Sequence, residues 1–314
     1  MKKMILGASG VSLCRMPLGT MWFGTKVEEK QAFKLIDLYR EHGGDFLDTA
    51  NNYSHFAGPP YIGGESETVL GHYVKERGCR EELFIATKMG FPKGGGKGKG
   101  LKRETIVENI DISLKNFGGE YFDLLYMHCD DLTVPMEESF GAFDQLVKAG
   151  KVRHIAVSNF MSYRVADALA LTREKGWASP CALQSRFSYY LPQDGRNMGN
   201  QRMLTDEHIH QCQAKDVRPI GYSVLLAGAY ALEKGDLPQG YRTARNLARQ
   251  AALYDLAQEK GVSPSQLVLA WALAGGVSPL IASSDETRLM DNILADDIVL
   301  SQEELDILNE AGKL

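Results

Sequence analysis

Four polar residues sit at or just past the ends of short apolar runs. They are Asp48 after Phe46-Leu47, Lys88 after Leu83 to Thr87, His128 after Asp123 to Met127, and Tyr53 in the segment beyond Asp48. An acid, a lysine, a histidine and a tyrosine suit proton transfer to a carbonyl. A free phenol has a pKa near ~10, so at neutral pH it is a poor base and a sluggish acid. A lysine ammonium beside it favours the phenolate and lowers that value. A carboxylate paired with the lysine holds it charged and fixed. A neutral histidine donates a hydrogen bond to an oxygen on which negative charge develops. Each residue alone has a plainer reading: an Asp-Thr at a strand end caps a helix, and a Lys or His there faces solvent. Together, on successive strand ends, they favour chemistry.

The elements that must carry them alternate along the chain. Apolar runs at 17–19, 46–48, 83–88, 123–128, 154–158, 182–184, 219–222 and 279–282 read as eight strands. Near-continuous apolar strands suit a parallel sheet covered on both faces. Helical spacing fills the gaps, as over 28–42, 103–116 and 242–260. Ser263-Pro264-Ser265 and Ser301-Gln302-Glu303-Glu304 are helix starts, with a capping serine followed by proline or acids. The alternation predicts a single (β/α)8 TIM barrel spanning 1–314 as one domain, with a doubly wound sheet as the alternative. In a barrel the carboxyl ends of the strands meet at one mouth, and Ser158, Asn159, Gln184 and Tyr222 end strands there too.

The chain has 314 residues and a formal charge of −5, which argues against a dedicated nucleic-acid binder. No apolar window is long enough to span a membrane, and the first residues lack a signal peptide's apolar core. Five scattered cysteines without a CxxC predict reduced thiols in a cytoplasmic protein. His208-Ile209-His210 has the look of a metal pair, but neighbours two apart on a helix diverge, so no metal is expected. The glycine- and lysine-rich stretch 92–102 fails the phosphate-loop pattern, since Lys99 is followed by Gly100. It reads as a surface loop near the mouth.

The sequence resembles the aldo-keto reductases over nearly its whole length. The resemblance rests on 5–24, FLDTANNY (46–53), GGESETVLG (63–71), FIATK (84–88), FDLLYMHCDD (122–131), LVKAGKVRHIAVSNF (146–160), GYSVLLAG (221–228) and SSDETRLMDN (283–292). It implies a barrel with an N-terminal β-hairpin and C-terminal helices, binding a nicotinamide cofactor. It also implies Tyr53 as proton donor, Lys88 as its modulator, Asp48 as the partner of that lysine and His128 as the orienting donor. Cofactor contacts carry over to Gly19, Thr20, Ser158, Asn159, Gln184, Tyr222, Ser223, Leu225 and Gly228. Near the adenosine they carry over to Ser283, Arg288, Asp291 and Asn292. NADP is the expected cofactor, with NAD as the alternative.

Departures from the family pattern are informative. Ala282 stands where a basic residue often precedes the Ser-Ser pair, and Asp285 adds an acid that would repel a 2′-phosphate. Leu226 stands where the pyrophosphate loop usually has glycine, so that loop is expected to close differently. For substrate, Trp22, Asn52 and Arg186, with Tyr189, Tyr190 and Arg196, are expected at the mouth. Their polarity favours a small carbonyl compound or sugar. The expected activity is an NAD(P)-dependent oxidoreductase interconverting a carbonyl and its alcohol. The alternative is a non-enzymatic nicotinamide-binding regulatory subunit on the same barrel.

Overall fold

The computed structural model describes residues 1–91 and 100–313. Most of the glycine- and lysine-rich stretch, 92–99, lies outside the described residues. The chain opens with an antiparallel hairpin of β1 (Lys3–Ile5) and β2 (Ser12–Cys14). Parallel strands follow: β3 (Leu18–Gly19), β4 (Phe46–Asp48), β5 (Phe84–Met89), β6 (Phe122–Met127), β7 (Val152–Ser158), β8 (Pro180–Arg186), β9 (Arg218–Tyr222) and β10 (Ser278–Pro279). From β3 to β10 each strand pairs with the next in chain order. Closure comes just past β10, through a parallel bridge between Leu18 and Ile281. The Gly19 amide donates to the Ile281 carbonyl at 2.7 Å, and the Ile281 amide to that of Pro17 at 2.9 Å. The ring of strands is the (β/α)8 barrel that the alternation predicts. A doubly wound sheet would leave two open edges.

Both faces of these strands are covered, which explains their unbroken apolar character. Every residue of β5 and of β6 is buried. The surrounding helices are α1 (Glu29–Glu41), α2 (Glu65–Arg77), α3 (Arg103–Phe117), α4 (Met136–Lys148), α5 (Ser162–Lys175) and α6 (Asp206–Ala214). Next come α7 (Ala244–Lys260), α8 (Pro264–Ala274), α9 (Glu286–Leu294) and α10 (Gln302–Glu310). The serine signals hold: Ser263 accepts from the Gln266 amide with Pro264 in the first turn, and Ser301 accepts from the Glu304 amide. Helix α9 is short, at nine residues, and buries Leu289 and Ile293, four apart on one face. Its start is fixed by Asp285, whose carboxylate accepts from the Arg288 amide at 2.9 Å.

The hairpin seals the end of the barrel opposite the strand carboxyl ends. Its turn touches the chain just before β9, where the Ala8 amide donates to the Asp216 carbonyl at 2.7 Å. Gly7 makes this approach possible: it has φ +48, and a Cβ there would lie 2.2 Å from the Cys181 carbonyl oxygen. All five cysteines are free and buried. Burial pushes the Cys181 and Cys212 thiols up to about 12, so they behave as core residues rather than nucleophiles. Among the described residues no helix is long and apolar enough to cross a membrane, and no group of three or more metal-ligating side chains gathers.

Candidate active site

The strand order brings the four residues together. Asp48 closes β4 opposite Ala86 of β5, Lys88 lies two residues beyond Ala86 on the same face of β5, and Asp48 and Lys88 are both 0% exposed. Lys88 Nζ donates to an Asp48 carboxylate oxygen, to the Thr49 carbonyl at 2.8 Å and to the Tyr53 hydroxyl at 3.0 Å. The other Asp48 oxygen accepts from Gln184 Nε2 at 2.9 Å. His128 follows β6 directly, anchored by its amide to the Met89 carbonyl at 2.8 Å. Its ring stands edge-on to the Tyr53 ring at 6.1 Å and packs against Phe91 at 5.0 Å. One phenol, one imidazole and one sealed ammonium thus converge at the mouth.

The electrostatics correct one expectation. Burial pushes the Tyr53 phenol above its ordinary value, and the Lys88 charge pulling it down does not overcome that. The lysine acts in the expected direction, but the loss of solvent around the phenol outweighs it. Tyr53 is therefore held as a protonated acid beside a fixed cation, not as a phenolate. Burial likewise raises the Asp48 carboxyl against the opposing pull of Lys88 and Gln184. For Lys88 burial works downward, yet Asp48 and Tyr53 together carry its pKa upward. Burial, then the Lys88 charge, keeps the His128 imidazole well below its usual value, so it is neutral. Its Nδ1 is buried and has no hydrogen-bond partner.

Below pH 6.5, the ordinary histidine value, an unfolded imidazole gains a proton that the folded one refuses. Folding stability must therefore fall as the pH drops through that value. His128→Gln is expected to shrink the stability difference between pH 7.5 and 5.5 by about 1 kcal/mol in urea titrations. An unchanged difference would mean that the imidazole titrates normally in the fold.

Around this centre the strand ends form one hydrogen-bonded band. Asn159 Nδ2 donates to the His128 carbonyl at 2.9 Å and to Ser158 Oγ at 3.1 Å. Asn159 Oδ1 accepts from the Tyr222 hydroxyl at 2.8 Å and from the Arg202 amide at 3.1 Å. Thr20 is buried and donates to the Asp48 carbonyl at 3.1 Å, beside Gly19 at the end of β3. Ser54, Asn159 and Ser223 all have left-handed backbones, at φ 81, 59 and 56. Each directly follows a residue of the band, so the chain turns sharply where Tyr53, Ser158 and Tyr222 must point inward. Leu226 and Ala227 are also left-handed, at φ 46 and 55. The loop from Leu225 to Gly228 thus keeps a glycine-like path despite its leucine.

Other expected residues lie further out. Trp22 carries Lys26 Nζ 3.9 Å above its ring. Asn52 Oδ1 is buried without a partner. Ser283 Oγ donates to the Asp285 carbonyl at 2.7 Å. The Arg288 side chain is 81% exposed, with Nε 3.5 Å from Asp285. Asp285, the acid expected near a 2′-phosphate, caps α9 and faces Arg288. Asp291 accepts from Ser263 at 3.0 Å, and Asn292 is buried. Tyr189 and Tyr190 do not line the mouth. Both are fully buried, Tyr190 packing on Tyr230 at 4.5 Å and Tyr189 bonding to the Leu308 carbonyl. Cys129, beside His128, is no second nucleophile: burial, with Asp131 and Asp130 near it, pushes its thiol up to about 12.

Sequence reasoning missed the Thr49 carbonyl, the Phe91 wall, and the Gln201 and Tyr241 partners of Arg186. The last two lie 15 and 55 residues from Arg186, with no spacing signal to link them.

A barrel with this band at its mouth defines a class, and the comparisons agree. The model described as Aldo/keto reductase family matches residues 15–313. The chain belongs to that family and to its oxidoreductases. It is similar to Norsolorinic acid reductase stcV of Emericella nidulans, 29% identical over 95% of this chain and 78% of that one. It is similar also to a probable voltage-gated potassium channel subunit beta of Arabidopsis thaliana, 27% identical over 94% and 90% of the two. Its fold matches the crystal structure of a thermostable aldo-keto reductase in complex with the inhibitor epalrestat. There the TM-score is 0.76, at 24% identity and 99% coverage of both chains.

Proposed function

We propose that this chain, acting as one domain over 1–314, reduces a small carbonyl compound to its alcohol or runs the reverse reaction with NADP(H). The single observation that carries this reading is the Lys88 ammonium, sealed from solvent and bonded at once to Asp48, the Thr49 carbonyl and the Tyr53 hydroxyl. The residues at the mouth fit a nicotinamide. Ser158, Asn159 and Gln184 offer amide and hydroxyl groups, Tyr222 an aromatic face fixed at its hydroxyl, and Asn52 Oδ1 a buried acceptor without a donor. When bound there, a nicotinamide would supply hydride to a carbonyl carbon.

The protein's part is proton and charge. Tyr53 gives its hydroxyl proton to the carbonyl oxygen, and Lys88 stabilises the phenolate left behind. Asp48 keeps Lys88 charged and in place. Neutral His128 orients the carbonyl oxygen by hydrogen bonding and stabilises the charge that develops on it. In oxidation Tyr53 takes the proton back.

Loss of reduced-nicotinamide absorbance in the presence of aldehyde, ketone and sugar panels tests the activity. Turnover with at least one carbonyl supports it, and none across the panel contradicts it. Arg288, exposed at the start of α9, is the candidate partner of the 2′-phosphate. Arg288→Ala is expected to weaken NADPH binding about tenfold while NADH binding stays within about twofold. Equal losses would place the arginine elsewhere. A second reading, a nicotinamide-binding regulatory subunit, is favoured by the potassium-channel-subunit relatives. Tight cofactor binding without turnover would select it.

A further inference from the structure

Arg186 ends β8, two residues beyond Gln184 and so on the same inward face of the strand. Its guanidinium is held by neutral groups alone. Nη1 donates to Gln201 Oε1 at 3.0 Å and to Ser223 Oγ at 3.5 Å, and Nη2 to the Tyr241 hydroxyl at 3.0 Å. Tyr241 carries a second cation, Arg196, 5.0 Å above its ring. Arg196 bonds the Gln239 carbonyl at 3.1 Å. Among the described residues neither arginine has an ion pair.

The edge of Arg186 formed by Nε and Nη2 is the informative part. Elsewhere in this molecule that edge grips a carboxylate: Arg164 places Nε and Nη2 on the two oxygens of Asp130 at 2.8 and 2.9 Å. Arg77 does the same to Asp37 at 3.2 and 2.9 Å. On Arg186, Nε is shielded from solvent and has no acceptor. Nε thus leaves one buried donor unmet on this edge, and the Nη2 beside it bonds the neutral Tyr241 hydroxyl rather than a carboxylate. A part-buried, uncompensated guanidinium with an unsatisfied donor is costly unless an anion completes it. The charge is also felt at the site. The Tyr222 hydroxyl lies within the influence of both Arg186, which lowers its pKa, and Tyr53, which raises it, although burial outweighs both.

We propose that Arg186, backed through Tyr241 by Arg196, binds an anionic group of the substrate, so that the preferred carbonyl compound carries a carboxylate or a phosphate. The inference rests on the oxidoreductase reading above and narrows its substrate class. A phosphate of the cofactor shares this chemistry, and the test separates the two sources.

Steady-state kinetics with 4-carboxybenzaldehyde and 4-methylbenzaldehyde, and with glyceraldehyde 3-phosphate and glyceraldehyde, give the preference for charge as a ratio of kcat/KM values. The ratio is expected to favour at least one anionic partner by about tenfold or more. Arg186→Gln should cut it about 30-fold, chiefly through KM of the charged compound, while Arg186→Lys should keep most of it. NADPH affinity, read by fluorescence quenching, should change by less than about threefold in both variants. An equal loss for charged and neutral aldehydes overturns the proposal. So does a loss confined to NADPH affinity, which would assign the arginine to the cofactor. If the wild type turns over no carbonyl at all, the failure is of the oxidoreductase reading. Arg186 is then tested by thermal shift with 4-carboxybenzaldehyde, where stabilisation lost in Arg186→Gln supports the anion site and its absence in the wild type overturns it.

Discussion

Tyr53→Phe is expected to lower kcat roughly 10³-fold or more, with NADPH affinity within about threefold of the original. The change removes one oxygen. That hydroxyl contributes a single side-chain hydrogen bond, from Lys88, whose other two partners remain. The fold therefore has little reason to move, and the ring can still pack edge-on to His128. What disappears is the proposed acid, the hydroxyl that Lys88 bonds, on the ring that stands edge-on to His128. Steady-state rates and cofactor titration on the same preparation check both halves. Near-normal turnover would remove Tyr53 from the chemistry.

Lys88→Met is expected to cost both activity and stability. Lys88 and Asp48 form an ion pair that solvent does not reach. Removing the cation leaves the Asp48 carboxyl buried with Gln184 as its remaining side-chain partner. Breaking such a pair from one side typically costs about 3–5 kcal/mol, because the other charge is stranded. In a chain of this size that is a fall in Tm of about 5–8 °C. Activity should drop with the loss of the cation that stabilises the Tyr53 phenolate. The double variant Lys88→Met/Asp48→Asn separates the effects: the amide still meets Gln184 and carries no charge. Thermal unfolding should show most of the stability restored, while the rate stays low. Recovery of rate along with stability would mean that the lysine serves the fold alone.

How much of this is legible in the sequence follows from the range of each interaction. The strands are legible because burial on both faces leaves an unbroken apolar signature, as in β5 and β6. Helix starts are legible where a serine caps them, as at Ser263 and Ser301. The closing contact is less so: β10 spans only Ser278–Pro279, and Ile281 closes the ring as a single bridge. A bridge of one residue leaves no periodic trace. Asp48, Lys88 and His128 can be picked out because strand ends in a barrel share one mouth. The sign of the net shift at Tyr53 cannot, since desolvation depends on atoms from many segments. Tyr189 and Tyr190 look like mouth residues by position in a loop. Their burial is decided by Trp271 and Tyr230, far away in sequence. The role of Asp285 as a cap likewise needs the helix that it starts.

Under the proposed function, hydride arrives at a carbonyl carbon while Tyr53 protonates the oxygen. The most direct test follows the hydride itself. The protein is incubated with a turned-over aldehyde and NADPH deuterated at C4, one stereoisomer at a time, and the alcohol is analysed by mass spectrometry and NMR. The account predicts one deuterium on the carbinol carbon from one stereoisomer and none from the other, with product formation nearly abolished in Tyr53→Phe. Alcohol formed without label from either stereoisomer would contradict it.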